Sequence, residues 1–424
     1  MNSWASRFRP SWHVQLFHIP GKRAIPLIQH TSRAPYNKPF SPSIFKRCRY
    51  TAANGFLSSY RDITSKKHRL HFSCSSPLVS RQHSATSEAS VGYYTPPQKG
   101  LIAFLPRSWI PYAELLRLDK PTGTYYLFFP CVYSTLLAAT MAPSVPVLQV
   151  ASTAGLFFTG ALVMRGAGCA INDLWDRNLD PHVERTKSRP IARGAISPRK
   201  AIAFTGSQLL VGLGILLQFP SQCLWYGIPS MLLVATYPLA KRFTYYPQAV
   251  LGLTFSWGAI MGFPALGIDL LNNNAALGAA AALYSSCVAW TILYDMIYAH
   301  MDIKDDIAAG IKSIALRHEN NTKIVLSALA TFQVSLLTAA GVAAGSGPIF
   351  FLGSCGSAII SLGLMIWKVQ LKNVQNCWWW FKNGCIFTGG GIATGMLLEY
   401  IAQATGFYHV EEDANSPKSP YRGK

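Results

Sequence analysis

The sequence predicts an all-α membrane protein of nine transmembrane helices, and three observations predict it. Half of the 424 residues are hydrophobic and only 13% are charged, too apolar a balance for a soluble protein of this size. Beyond residue 100 the chain is a succession of apolar segments about 20 residues long, the length that crosses a bilayer. The loops between them alternate between basic and devoid of Lys and Arg, as consecutive spans with one positive side require.

Along the chain, residues 1–90 come first, with fourteen Lys or Arg against two acids, Asp62 and Glu88. Rich in Arg and Ser and poor in acids, with no long apolar run, this stretch has the makeup of an organelle transit peptide. Residues 1–95 therefore read as a mitochondrial transit peptide and disordered leader. Much of the net charge of +20 sits there, so the basicity reflects targeting and does not point to a nucleic-acid partner. Trp109 to Leu118 alternates apolar and polar positions like an amphipathic helix lying in the headgroup layer.

The nine spans fall at roughly 122–141, 147–169, 201–219, 223–240, 249–268, 276–299, 323–344, 347–367 and 384–404. Arg107, Arg117 and Lys120 precede the first. The loop after the second carries Arg177, Arg185, Lys187, Arg189, Arg193, Arg199 and Lys200, and that after the fourth Lys241 and Arg242. Lys304, Lys312 and Arg317 follow the sixth; Lys368, Lys372 and Lys382 follow the eighth. The loops after the odd-numbered spans up to the seventh contain no Lys or Arg. One face is thus positive throughout, which in a mitochondrial inner membrane is the matrix face. Residues 100–405 make one bundle, and 406–424, with Glu411-Glu412-Asp413 and two prolines, read as a disordered tail. The nine cysteines form no C-x-x-C pair, and those in apolar runs, such as Cys131, Cys169 and Cys287, suit small core positions.

Two aspartate clusters interrupt this apolar pattern on the positive face. The first is Asn172-Asp173-Leu174-Trp175-Asp176-Arg177-Asn178-Leu179-Asp180; the second runs from Tyr294-Asp295 through Tyr298 and Asp302 to Asp305-Asp306. A carboxylate at membrane depth costs about 2.5–3.5 kcal/mol even on the mildest scale, so such groups face a cavity and mark function. At about 100° per residue, Asp173, Asp176 and Asp180 share a narrow arc of a helix, as do Asp295, Tyr298, Asp302 and Asp306. Carboxylates so spaced on facing helices suit hard cations, and Mg²⁺ in particular takes one or two carboxylates together with phosphate oxygens. Bridging metal would neutralise a diphosphate and make it a leaving group. Arg185, Lys187, Arg189, Lys241, Arg242 and Lys312 lie on the same face as candidate phosphate contacts. Intramembrane carboxylates also occur in cation-coupled transporters, but those place them near the midplane in broken helices.

The clusters resemble a known family. Asn172-Asp173-x-x-Asp176-x-x-x-Asp180 and Tyr298-x-x-x-Asp302-x-x-x-Asp306 look like the two signature motifs of the UbiA-type intramembrane prenyltransferases. Within that superfamily, Leu116-Arg117-Leu118-Asp119-Lys120-Pro121-Thr122-Gly123, Arg185-Thr186-Lys187-Ser188-Arg189-Pro190, Tyr237-Pro238-Leu239-Ala240-Lys241-Arg242, Tyr294-Asp295-x-x-Tyr298-Ala299 and Gly310-Ile311-Lys312-Ser313 resemble the 4-hydroxybenzoate polyprenyltransferase branch. The resemblance covers about residues 105 to 400. Trp378-Trp379-Trp380-Phe381-Lys382-Asn383-Gly384 departs from it, where the resemblance leads one to expect an Asn-rich stretch.

The resemblance implies nine helices around a central cavity, with Asn172, Asp176, Asp180, Asp302 and Asp306 holding Mg²⁺ on a polyprenyl diphosphate. It gives Asp173 a supporting part in that metal set. The expected reaction is electrophilic prenylation of 4-hydroxybenzoate ortho to its hydroxyl, in coenzyme Q biosynthesis. Asp295 would orient the phenol or take its proton, and Tyr298 would stabilise an allylic cation through its ring. Arg117 or Arg242 would hold the acceptor's carboxylate. Lys120, Arg185, Lys187, Arg189, Lys241 and Lys312 would contact substrate. The lipid bilayer is an expected partner, and a larger coenzyme Q biosynthetic complex is compatible with the resemblance. The same fold could serve another aromatic acceptor, in a meroterpenoid or haem pathway; the leader and the Leu-Arg-Leu-Asp-Lys-Pro run favour the quinone pathway.

Overall fold

Helices supply the regular structure of residues 94–95, 100–183 and 186–408, the part of the chain that the computed structural model describes, and no strand occurs among them. The expected leader up to residue 93, the tail from 409 and Arg185 lie outside the described residues, as do the side chains of Lys241 and Arg242.

The interfacial segment contains one short helix, α1 (Ile110–Leu115). After it come α2 (Thr122–Met141) and α3 (Val147–Trp175). The 29 residues of α3 span about 44 Å at 1.5 Å each, longer than a hydrocarbon core of about 30 Å. Its last turn, bearing Asn172 and Asp173, therefore emerges on the side of the basic loops. A proline at the first helical position starts α4 (Pro198–Leu216), where the missing N–H has no cost; α5 (Ser221–Thr236) returns. A one-turn helix, α6 (Ala240–Phe243), leads into α7 (Pro247–Phe255) and α8 (Gly258–Ala265). Asn273 caps α9 (Asn274–Ala299), its Oδ1 accepting from the Ala276 N–H at 3.0 Å. Two short helices, α10 (Ile303–Ala309) and α11 (Ile314–Arg317), cross the positive face before α12 (Thr322–Ala343). The chain ends with α13 (Gly356–Lys368), α14 (Val374–Gly384) and α15 (Gly391–Ala404), with π-helical stretches at Phe350–Cys355 and Cys385–Gly390.

Among the described residues, five helical stretches are long and apolar enough to cross a membrane: Val147–Trp175, Asn274–Ala299, Glu319–Ala343, Phe350–Lys368 and Val374–Ala404. The four other expected spans are helical but fall outside that group. The segment 122–141 is one helix rich in Thr and Tyr; α5 has only 16 residues. Segment 249–268 is broken at Ser256-Trp257 into helices of 9 and 8 residues. Inward-facing hydroxyls explain the lower hydropathy of α2, since Thr122, Thr124, Ser134, Thr135 and Thr140 are all buried.

The helices close on themselves. α2 packs on α3 and α8, α9 on α7 and α12, and α15 returns to α2. The α2–α8 contact is backbone-close. A Cβ on Gly262 would lie 2.2 Å from the Thr135 nitrogen, so only glycine admits this crossing. Ser134 fastens it, donating to the Gly258 carbonyl at 2.7 Å and accepting from the Gly262 N–H at 3.0 Å. An aromatic core of Tyr126, Tyr133, Trp290 and Tyr294 lies between α2 and α9, with Tyr126 and Tyr294 stacked at 3.6 Å.

At the opposite end Glu399 of α15 is fully buried. Its carboxylate accepts from the Gly347 and Phe350 N–H groups at 2.6 and 3.1 Å, from the Tyr408 hydroxyl at 2.8 Å and from Gln403 at 2.8 Å. Glu399→Ala strands those donors, each worth about 1–3 kcal/mol when left buried and unmet. We expect a loss of about 3 kcal/mol or more, read as a lower unfolding midpoint of the purified chain, while Glu399→Gln loses less. An unchanged midpoint in Glu399→Ala would contradict this packing.

Candidate active site between two carboxylate clusters

The first cluster straddles a helix end. α3 stops at Trp175, and Asp176 takes the C-cap with its N–H on the Asn172 carbonyl at 2.9 Å. The Asp176 carbonyl then accepts from Leu179 and Asp180 N–H at 2.7 and 2.8 Å, winding the chain into a short 3-10 turn over Asp180–His182. The second cluster is built likewise. α9 carries Asp295 and Tyr298 and stops at Ala299; Asp302 precedes α10 and Asp306 lies in its first turn. Neither stripe is one continuous helix, as the 100° spacing had implied. Each cluster bends at a helix end, and the bend turns its later carboxylates across the gap.

A cavity of about 200 Å³ separates the clusters. Asn172, Asp176, Asp180 and Arg189 line one side of it. Asp295, Tyr298, Asp302, Asp306 and Lys312 line the other. Gly310, with φ +66°, ends α10 in the left-handed conformation glycine tolerates, and the reversal brings Lys312 and Ser313 to the wall. The Lys312 ammonium lies 5.3 Å from the Tyr245 ring centroid. Asp305 is not on the wall, in keeping with its position off the stripe.

Asp173 belongs elsewhere. It is fully buried, and Arg117 donates to both its oxygens at 2.7 and 2.9 Å. Arg189 donates to the same carboxylate at 3.0 Å and to Asp180 at 3.0 and 3.2 Å. Asp173 thus joins two guanidiniums into a ladder that ends at the cavity wall. Arg117 enters it from a left-handed backbone, φ 56°, the only non-glycine residue so placed among those described. Burial opposes the Arg117 charge most strongly, yet the Asp173 carboxylate, joined by Cys169 and Asp119, holds the guanidinium pKa above its ordinary value. Burial raises the Asp180 carboxyl pKa, with Arg189 pulling the other way. Lys187 is exposed and off the wall, and Lys120 is exposed and lies 3.9 Å from Asp119. The expectation of Asp173 at a metal, and of Arg117 on the acceptor, meets this pairing: their polar atoms are already turned toward each other.

One residue of the site was missed in the sequence. Arg165 sits on α3 seven residues before Asn172, hence within about 20° of the same helix face. It lines a second cavity of about 480 Å³, walled mainly by apolar residues of α3, α4, α5 and α8. Tyr237 lines both cavities and marks where they adjoin. The Arg165 Nε is buried without a hydrogen-bond partner, and one terminal nitrogen donates to the Cys169 sulfur at 2.5 Å. A lone cation inside an apolar span is the signal that would have found it.

Among the described residues no three acidic, His or Cys side chains converge on one point as a closed metal cage would require. The donor set is instead hard oxygen from two facing sides, Asn172, Asp176 and Asp180 against Asp302 and Asp306. That chemistry fits Mg²⁺, which keeps waters and completes its shell with substrate phosphate, and does not fit a thiolate or imidazole metal.

The family model described as the UbiA prenyltransferase family matches residues 127–389, a stretch holding both carboxylate clusters and Arg165. The chain belongs to the UbiA prenyltransferase family. Curated UbiA relatives share much of its length. The 4-hydroxybenzoate polyprenyltransferase, mitochondrial, of Saccharomyces cerevisiae is 47% identical over 308 residues, covering 72% of this chain and 80% of that one. The protein of the same name from Schizosaccharomyces pombe is 43% identical over 328 residues, covering 77% of this chain and 90% of that one. A solved UbiA homolog from Archaeoglobus fulgidus bound to DMAPP and Mg²⁺ shares the fold at a TM-score of 0.51 and 17% identity, across 69% of this chain and 99% of its own.

Proposed function

We propose that this chain transfers a polyprenyl group from polyprenyl diphosphate to the ring carbon ortho to the hydroxyl of 4-hydroxybenzoate, the ring-prenylating step of ubiquinone biosynthesis. The observation that carries it is two carboxylate clusters facing each other across one polar cavity that adjoins a larger apolar one. The names of the curated relatives supply the acceptor.

In this reading Asn172, Asp176, Asp180, Asp302 and Asp306 hold Mg²⁺ with the diphosphate, and Asp173 serves them indirectly by fixing Arg117 and Arg189. Bound metal neutralises the diphosphate and so makes it a better leaving group. Arg189 and Lys312 present donors to the phosphate oxygens from opposite walls. The Tyr298 ring, 4.6 Å from Phe381, offers a π-face to positive charge developing on the allylic carbon. Asp295, three residues before Tyr298 on the same wall, accepts the phenol's hydrogen bond and raises the nucleophilicity of the ortho carbon. As the new C–C bond forms and diphosphate departs, that carbon gives up its hydrogen as a proton and the ring regains its aromaticity. The isoprenoid tail lies in the apolar cavity, where water is excluded and hydrolysis of the cation suppressed. Nine membrane passes, an inner-membrane location and matrix-facing carboxylates complete the reading, on the strength of the alternating basic loops. Lys120, Arg185, Lys187 and Lys241 are kept as substrate contacts, and Arg242 as a catalytic residue that could hold the acceptor's carboxylate.

The acceptor's carboxylate is assigned to Arg165 in preference to Arg117, because Arg117 is bound to Asp173 while the Arg165 Nε is unpartnered. A lost charged hydrogen bond is worth about 1.5–3 kcal/mol. Arg165→Met should therefore raise KM for 4-hydroxybenzoate by roughly 10–100-fold and leave KM for the diphosphate within about twofold. Steady-state kinetics with each substrate varied in turn checks this; equal rises in both constants would reject the assignment.

A further inference from the structure

The Trp378-Trp379-Trp380 run, which departs from the family pattern, divides between two environments. Trp378 and Phe381 turn toward the active site, with ring centroids 6.4 and 4.6 Å from Tyr298. Trp379 and Trp380 line a separate groove of about 710 Å³, between the ends of α12, α13 and α14. The groove lies on the side of the basic loops, the level at which Trp belongs in a membrane protein.

Its polar wall is cationic. Lys323 at the start of α12 and Lys368 at the end of α13 both line it, and no acidic side chain does so among the described residues. The Lys323 ammonium donates to the Trp367 carbonyl at 3.2 Å, and the Lys368 ammonium lies 5.7 Å from the Trp367 ring centroid. Two lysines of separate helices are thereby gathered around one tryptophan, itself 72% exposed. An apolar track leads into the groove from the hydrocarbon side. Ile360, Leu364 and Trp367 share one face of α13 at i, i+4 and i+7 spacing, and all three are exposed.

Cations at headgroup level above an exposed apolar stripe fit one kind of ligand. We propose that this groove binds an anionic phospholipid, its phosphate between Lys323 and Lys368 and an acyl chain along Ile360 and Leu364. Basic pockets between transmembrane helices recognise lipid phosphates in this way. The site is separate from the carboxylate cavity and shares no lining residue with it.

The test uses the purified full chain in neutral detergent, incubated with equimolar phosphatidylglycerol and phosphatidylcholine, with retained lipid counted by native mass spectrometry. Each surface lysine contributes about 1 kcal/mol toward an anionic lipid, or roughly fivefold. Wild type should retain phosphatidylglycerol at least about fivefold over phosphatidylcholine. The double variant Lys323→Gln/Lys368→Gln should lose that preference. Its prenyl-transfer rate in detergent should stay at the wild-type value, which separates lost lipid binding from lost folding. Equal retention of the two lipids by wild type, or an undiminished preference in the double variant, would overturn the proposal. So would displacement of the lipid by glycerol 3-phosphate at matched concentration, because that would make the groove a phosphate site without a lipid's tail.

Discussion

Asp302→Ala is expected to lower the rate of prenyl transfer by at least about 10²–10³-fold, the scale seen when one element stabilising a developing charge is removed. Asp302 opposes Asp176 and Asp180 across the cavity and precedes α10, where no side-chain hydrogen bond ties it into the helix cap. Its loss removes an oxygen ligand from the cavity wall, and a sizing-column run of the variant beside wild type separates that loss from a loss of folding. The remaining activity should require a higher Mg²⁺ concentration for half-maximal rate, and Asp176→Ala should do the same from the other wall. A variant that keeps wild-type rate and wild-type Mg²⁺ dependence would remove Asp302 from the site.

Asp173→Ala should act by another route. It leaves two guanidiniums, Arg117 and Arg189, in a buried setting without their shared carboxylate. Breaking a buried ion pair by deleting one partner costs about 3–5 kcal/mol, so the purified variant should unfold at a markedly lower temperature. Activity should fall as well, because Arg189 loses the anchor that holds it at the wall. Asp173→Asn separates the two accounts of this residue. As a clamp it keeps a hydrogen-bond acceptor of the right size, and the Mg²⁺ concentration for half-maximal rate stays near wild type although the rate drops. As a metal ligand it would shift that concentration as far as Asp176→Asn does. The pairing distances of 2.7–3.0 Å favour the clamp.

Much of this arrangement can be read from the sequence because apolar runs and charged interruptions are local features. The bounds of α2 match the expected 122–141, and α9 lies within two residues of the expected 276–299. Both carboxylate clusters also meet at one cavity, as two acidic stripes on a common face suggested. What escaped depends on contacts between distant residues. Nothing near Asp173 in the chain announces that Arg117, 56 positions away, will take both its oxygens. The helix stops at Trp175 and Ala299 are invisible to a 100° stripe, which has no term for a C-cap. The close α2–α8 crossing rests on Ser134 bonding to Gly258 and Gly262, contacts 124 and 128 residues apart in the chain. Arg165 could have been noticed as a cation within a span, but only the fold shows its Nε buried beside an apolar cavity.

The measurement that bears most directly on the central reading is prenyl transfer by membranes containing this chain, supplied with a polyprenyl diphosphate and ring-labelled 4-hydroxybenzoate. The expected result is a product prenylated ortho to the hydroxyl, formed with Mg²⁺, lost on chelation, and absent from membranes carrying Asp302→Ala. Membranes that yield no such product, while an active homologue in the same preparation does, would contradict the assignment of 4-hydroxybenzoate as the acceptor.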